Sequence, residues 1–108
     1  MKGYVYLIMD SKNDGIYKIG TTKGKIENRI KELQTGNANE LSICKYYETE
    51  IPFFMEKKLH DYYANQQIMN EWYQLEDNDV LGFDDRCKRI EEMVESLKDN
   101  PFFPKKLK

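Results

Sequence analysis

The sequence predicts a small α+β domain: a mainly antiparallel three-stranded sheet flanked by helices, in the order β-β-α-β-α-β-α. Three observations carry this expectation. The β-branched and aromatic run "YVYLIM" and the run "GIYKIG" are separated by the dense turn signal "DSKNDG", which is the pattern of a hairpin. From Lys25 onward the apolar spacing changes to the helical period. Strand-like and helix-like runs then succeed one another along 108 residues, enough chain for one domain with one modest core.

In the first strand Val5, Leu7 and Met9 share one face, and Tyr4, Tyr6 and Ile8 share the other. The purely apolar face suits the core better. In the second strand the same alternation sets Tyr17 and Ile19 on the packing side and turns Lys18 the other way. Ile26, Ile30 and Leu33 make the stripe of the first helix, Arg29 lies on its edge, and Gly36 in "QTGN" stops it. "LSICKYYET" alternates Leu41, Ile43, Lys45 and Tyr47 against Ser42, Cys44, Tyr46 and Glu48, and reads as a third strand. Pro52 fits the first turn of a helix over about 52–65, where Met55, Leu59 and Tyr62 form the apolar line. Glu56, His60 and Tyr63 form the neighbouring line. "NEWYQL" reads as a short aromatic strand or extended segment, and "EDND" as a turn. A last helix follows, with Phe83, Cys87, Ile90, Val94 and Leu97 in period until Asn100 and Pro101 end it. The basic tail "PFFPKKLK" is either docked through Phe102 and Phe103 or frayed. No repeat or linker interrupts the chain, so residues 1–108 read as a single domain.

Composition narrows the function classes. With 40% hydrophobic and 13% aromatic residues the chain reads as folded, and its 33% charged fraction does not alter that. No apolar run approaches the ~20 residues that span a bilayer, and no signal-peptide pattern opens the chain. A soluble intracellular protein, cytoplasmic or within a host cell, is expected, with no membrane partner. Cys44 and Cys87 are far apart and the chain has a single histidine, which argues against structural zinc and for reduced, packed thiols. A formal charge of -2 excludes binding to nucleic acid by net charge alone. A local basic surface stays open, because residues 1–36 carry seven Lys and Arg against four acids, with acidic residues concentrated in 76–85 and 91–95.

Four polar residues stand on predicted ordered elements: Tyr6, Lys18, Arg29 and Glu56. Taken singly, each is an ordinary side chain: a half-buried sheet tyrosine, a solvated lysine, a snorkelling arginine, one end of a surface pair. Together they are what metal-assisted phosphodiester hydrolysis requires. A carboxylate holds Mg²⁺, an arginine fork grips phosphate oxygens, and a tyrosine assisted by a cation takes the proton of the attacking water. Strand alternation places Tyr6 and Lys18 on one sheet face, opposite Val5, Leu7 and Ile19.

The segments "GYVYLI", "YKIGTT", "ENRIKELQTGN", "MEKKLHDYY" and "NEWYQL", in this order over Gly3 to about Leu75, resemble the GIY-YIG nuclease superfamily. The closest likeness is to the branch of phages and large viruses whose second motif reads KIG; the C-terminal helix and tail, 80–108, fall outside it. The resemblance implies a metal-dependent endonuclease that hydrolyses DNA phosphodiester bonds, with Mg²⁺ or Mn²⁺ as cofactor and DNA, branched or structured forms included, as partner. It implies Tyr6 as general base, although this chain has YVY where the classical motif has GIY. It further implies Lys18 in the second motif's tyrosine position, Arg29 as the helix arginine and Glu56 as metal ligand. His60, one turn from Glu56, matches the "LH" of "EKKLH", and orients the glutamate or touches phosphate. Glu71 and Trp72 match an "EWF"-type segment, with Trp72 read as core. The alternative is a catalytically weak or inactive module of the same fold that binds nucleic acid or a protein. The stripe of the last helix is expected to complete the core; serving as a dimer surface is its other use, leaving monomer and weak dimer both open.

Overall fold

"YVYLIM" lies within β1 (Gly3–Asp10), where Val5, Tyr6, Leu7 and Ile8 are all buried, so this strand is covered on both faces. Near-continuous apolar character is the mark of such a strand. The computed structural model describes residues 2–98; the expectations for the tail, Phe102 and Phe103 included, lie outside the described residues. After β1 come β2 (Ile16–Thr22), α1 (Ile26–Gln34), β3 (Leu41–Thr49), α2 (Pro52–Tyr62), β4 (Gln67–Met69), β5 (Trp72–Gln74), α3 (Asp77–Leu81) and α4 (Phe83–Leu97). The strands form one sheet in the order β3-β1-β2-β5-β4, and each neighbouring pair is antiparallel.

The α+β class agrees with the sequence, but the sheet has five strands where three were expected. The aromatic segment after α2 supplies β5, which joins the sheet beside β2, and β4 folds back on β5 through Asn70, whose φ is 53°. All three residues of β4 are exposed. A strand held by backbone pairing alone leaves no alternation of buried side chains to read. The helix expected over 52–65 ends at Tyr62 and continues as a 3-10 turn, Ala64–Gln66. "EDND", expected as a turn, begins the short helix α3, and Gly82 separates it from α4.

One face of the sheet packs under α2 and α4, where Val5, Leu7, Tyr17, Ile19, Met55, Leu59, Phe83 and Cys87 share the main core. Of the apolar stripe of α4, Phe83, Cys87 and Ile90 enter this core, and Val94 beyond them is also buried. The expectation of a single core face on β1 is corrected: its other face makes a second cluster under α1, with Tyr6, Ile8, Ile26 and Leu41. Trp72 packs against this cluster only partly buried. In β3 a register shift between the partners of Leu7 and Ile8 leaves Cys44 as the extra residue. Leu41 and Ile43 therefore serve the second cluster, whereas Tyr47 serves the main core, so the simple alternation expected for this strand breaks at the bulge. Cys87 is buried as anticipated; Cys44 is exposed at the bulge, and both thiols are free. No helix among the described residues is long and apolar enough to cross a membrane.

Candidate functional site

Tyr6 stands directly opposite Gly20 across the β1–β2 ladder, and its ring lies over the glycine. A Cβ at position 20 would be 2.5 Å from Tyr6 Oη and 2.7 Å from Cζ. Real Cβ atoms do not approach so closely, so the glycine of "KIG" is the condition for a tyrosine ring to reach across the strand. From α1, Arg29 Nε donates to Tyr6 Oη at 3.2 Å. Arg29 lies on the edge of the helix stripe, next to the apolar residues that seat α1 on this face, which is why its guanidinium reaches the sheet.

Lys18 is one step along the same face, opposite Ile8 on β1 and Trp72 on β5. Tyr17 faces the other way, into the main core. The Lys18 ammonium is 3.2 Å from Glu71 Oε1 and 5.6 Å from the centre of the Trp72 ring. Among the described residues it makes no ion pair or hydrogen bond with Tyr6 or Arg29.

The remaining two candidates arrive around the edge of β2. Pairing with β5 ends at Lys18, with one further backbone bond from Ile19 N to Glu71 O, 3.0 Å. Just there His60, from α2, meets the carbonyl of Ile19 at 3.0 Å. A carbonyl only accepts, so the proton of the neutral ring sits on Nε2. The imidazole also stacks on Tyr73, ring centres 5.4 Å apart. Glu56, one turn earlier, brings its carboxylate to 3.9 Å from the same Nε2, too far for a hydrogen bond. The helical spacing of "EKKLH" is what puts both side chains on one face of α2.

These groups lie within one another's electrostatic reach. Burial raises the Glu56 carboxyl above the usual glutamate range; Glu71 adds to the shift, while His60, Arg29 and Lys18 oppose it. Tyr6 is also raised, burial outweighing the hydrogen bond and charge of Arg29, with smaller contributions from Glu71 and Glu56. Arg29 is held still more firmly as a cation, first by its bond to Tyr6. The structure thus brings Tyr6 and Arg29 into contact, sets Glu56 beside His60, and gives the charge of Lys18 to Glu71.

Glu71, which the sequence matches to an "EWF"-type segment without a role, is the partner of Lys18 in the site. Its partner is set by the β2–β5 pairing, and that pairing had no sequence signal of its own. Among the described residues no three His, Cys, Asp or Glu side chains gather as a metal cage. Glu56, a carboxylate with 18% of its side chain exposed and its charge opposed by burial, fits the other kind of site. Mg²⁺ is commonly held by one or two carboxylates, with waters and substrate phosphate filling the remaining positions.

The family model of the T5orf172 domain, a domain found in phage and related nucleases, matches residues 3–98, and so extends through α4. No curated protein and no solved structure matches the chain significantly.

Proposed function

This chain belongs to the T5orf172 domain family, a membership consistent with a nuclease-like or DNA-binding module and suggesting interaction with nucleic acid, and from that premise we propose that it is a metal-dependent DNA endonuclease of GIY-YIG type. The observation that carries this reading is the arrangement about Gly20: the Arg29–Tyr6 hydrogen bond on one side of the open β2 edge, and the desolvated carboxylate of Glu56 on the other. A phosphodiester laid across this edge would meet a cation, a phenol and a carboxylate at once.

In the proposed reaction Arg29 binds phosphate oxygens through its terminal nitrogens while its Nε stays on Tyr6, so one side chain positions both substrate and base. The raised pKa of Tyr6 means that it rests as the neutral phenol, so it first releases its own proton to solvent. The phenolate, held by cationic support, then accepts the proton of the attacking water as the water oxygen bonds to phosphorus and the leaving oxygen departs. Arg29 gives that support directly, and Lys18, on the same sheet face, adds a second positive charge near the phosphate. Glu56 is the residue that would hold Mg²⁺ or Mn²⁺; when bound, the ion supplies charge neutralisation at the phosphate and at the leaving oxygen. His60 fixes the Ile19 carbonyl beside Gly20 and keeps a polar ring next to Glu56.

The test is incubation of the purified protein with plasmid and branched DNA in Mg²⁺ or Mn²⁺. Cleavage that is lost in Glu56→Ala supports the proposal; absence of cleavage, or a Glu56→Ala variant that cuts as well as wild type, overturns it. One observation favours a second reading, a binding module with weak or absent turnover: Lys18 is already neutralised by Glu71. Salt-dependent DNA binding that survives Glu56→Ala, without cleavage, would select that reading.

A further inference from the structure

We propose that Glu71 is a substrate-displaced counter-ion, which holds Lys18 in place in the free protein and yields it to a nucleic-acid phosphate on binding. This inference rests on the nucleic-acid reading of the site, and names Glu71 as a positioning residue within it. The geometry is specific. Lys18 Nζ and Glu71 Oε1 are 3.2 Å apart, with 19% and 42% of the two side chains exposed, so the carboxylate is the solvent-facing member of the pair. Its backbone is anchored, because Glu71 O accepts the Ile19 N–H. The position of Glu71 is therefore set by the sheet, not by the ion pair.

The Lys18 side chain is confined on its other sides. Ile8 and Trp72 are its cross-strand neighbours, and the Trp72 ring lies below its ammonium. A phosphate that reaches Arg29 and Tyr6 enters on this same face, and can take the place of the exposed carboxylate without any backbone change. Glu71 also acts on the whole site: its charge contributes to the shifts of Tyr6, Arg29 and Glu56 alike. In the free protein it lowers the positive potential that an incoming strand would feel. Because the carboxylate is the solvent-facing partner, it can be exchanged for a new anion without exposing Lys18.

The experiment measures binding of a fluorescently labelled DNA oligonucleotide to the full chain in EDTA, where hydrolysis cannot contribute, over a salt series of about 50–200 mM. Wild type, Glu71→Gln, Glu71→Asp, Lys18→Met and the Lys18→Met/Glu71→Gln double variant are compared. Glu71→Gln is expected to bind about three- to fivefold more tightly at low salt. Because Lys18 reaches phosphate in both complexes, the plot of log affinity against log salt is expected to keep the wild-type slope in Glu71→Gln and to become shallower by about 0.7–0.9 in Lys18→Met, where one phosphate contact is lost. Glu71→Asp stays near wild type. In the Lys18→Met background Glu71→Gln brings no gain. An unchanged or weaker Glu71→Gln, or a gain that persists without Lys18, overturns the inference while leaving the nucleic-acid reading intact. Absence of binding by every variant overturns that reading, and the inference with it.

Discussion

The ring of Tyr6 lies across the backbone of Gly20, so closely that a Cβ on the glycine would stand 2.5 Å from the phenol oxygen. The glycine thereby determines where the Tyr6 hydroxyl sits relative to Arg29. Gly20→Ala should push the ring aside and cost about 1–3 kcal/mol in stability by overpacking. Cleavage should fall by about 10²-fold, since a misplacement near 1 Å has that effect. Thermal unfolding and a plasmid-nicking assay check the two effects together. A Gly20→Ala protein that cuts like wild type would show that the position of Tyr6 is immaterial.

Arg29 donates to Tyr6 through Nε and not through its terminal nitrogens. Lysine at this position keeps the charge but has no planar fork with which to hold phenol and phosphate together. Arg29→Lys is expected to lower the turnover number by about 10²-fold, the scale seen when one preorganised donor to developing charge is lost. Single-turnover cleavage at saturating protein measures this. Turnover within a factor of two of wild type would reduce Arg29 to a general electrostatic contributor.

A control for these effects lies outside the site. Tyr47 donates to Glu91 Oε1 at 2.6 Å, tying β3 to α4, and burial pushes the Tyr47 hydroxyl well above its ordinary value. Tyr47→Phe removes a charge-assisted bond and should cost about 1.5–3 kcal/mol. DNA binding and cleavage should be unchanged at temperatures where the variant is folded. Loss of cleavage without loss of stability would mean that the α4 side of the sheet communicates with the β2 edge.

The parts of this molecule legible in its sequence are those with periodic side chains. β1 was legible as a strand from its apolar run, though not as one buried on both faces, while β2, the start of α2 and the stripe of α4 bury residues at regular spacing that reports their faces. The alternation in β2 distinguishes Tyr17 from Lys18, one in the main core and the other on the face of Tyr6. The β4 strand was not legible, because its residues are exposed and it is held by backbone bonds to β5. Nor was the bulge at Cys44, which exists only in relation to β1. The pairing of Glu71 with Lys18 was illegible for the same reason: a partner across two strands is defined by register, and the β2–β5 register follows from where the chain returns after α2. Thus the local half of the site, the helix pair Glu56 and His60, could be inferred from spacing, whereas the identity of Lys18's partner could not.

Glu56 offers a test that does not depend on catalysis. Its carboxyl is raised above the usual glutamate range by burial, so the folded protein binds this proton more tightly than the unfolded chain does. The ionised form is then a penalty on the fold, fully present above the raised value and absent below the unfolded one, about 4.3. Wild type should therefore gain stability relative to Glu56→Gln as the pH falls through this window. At neutral pH Glu56→Gln should be the more stable protein, and the difference should close on acidification, in thermal unfolding followed from pH 7 to about 4. Mg²⁺ or Mn²⁺ reverses the order if Glu56 holds it, because a cation that binds only the folded carboxylate stabilises wild type in proportion to its occupancy. The variant should show no such shift. A Glu56→Gln protein less stable than wild type at pH 7 without metal would mean that ionised Glu56 is already compensated, and would remove the main physical reason for placing a cation there.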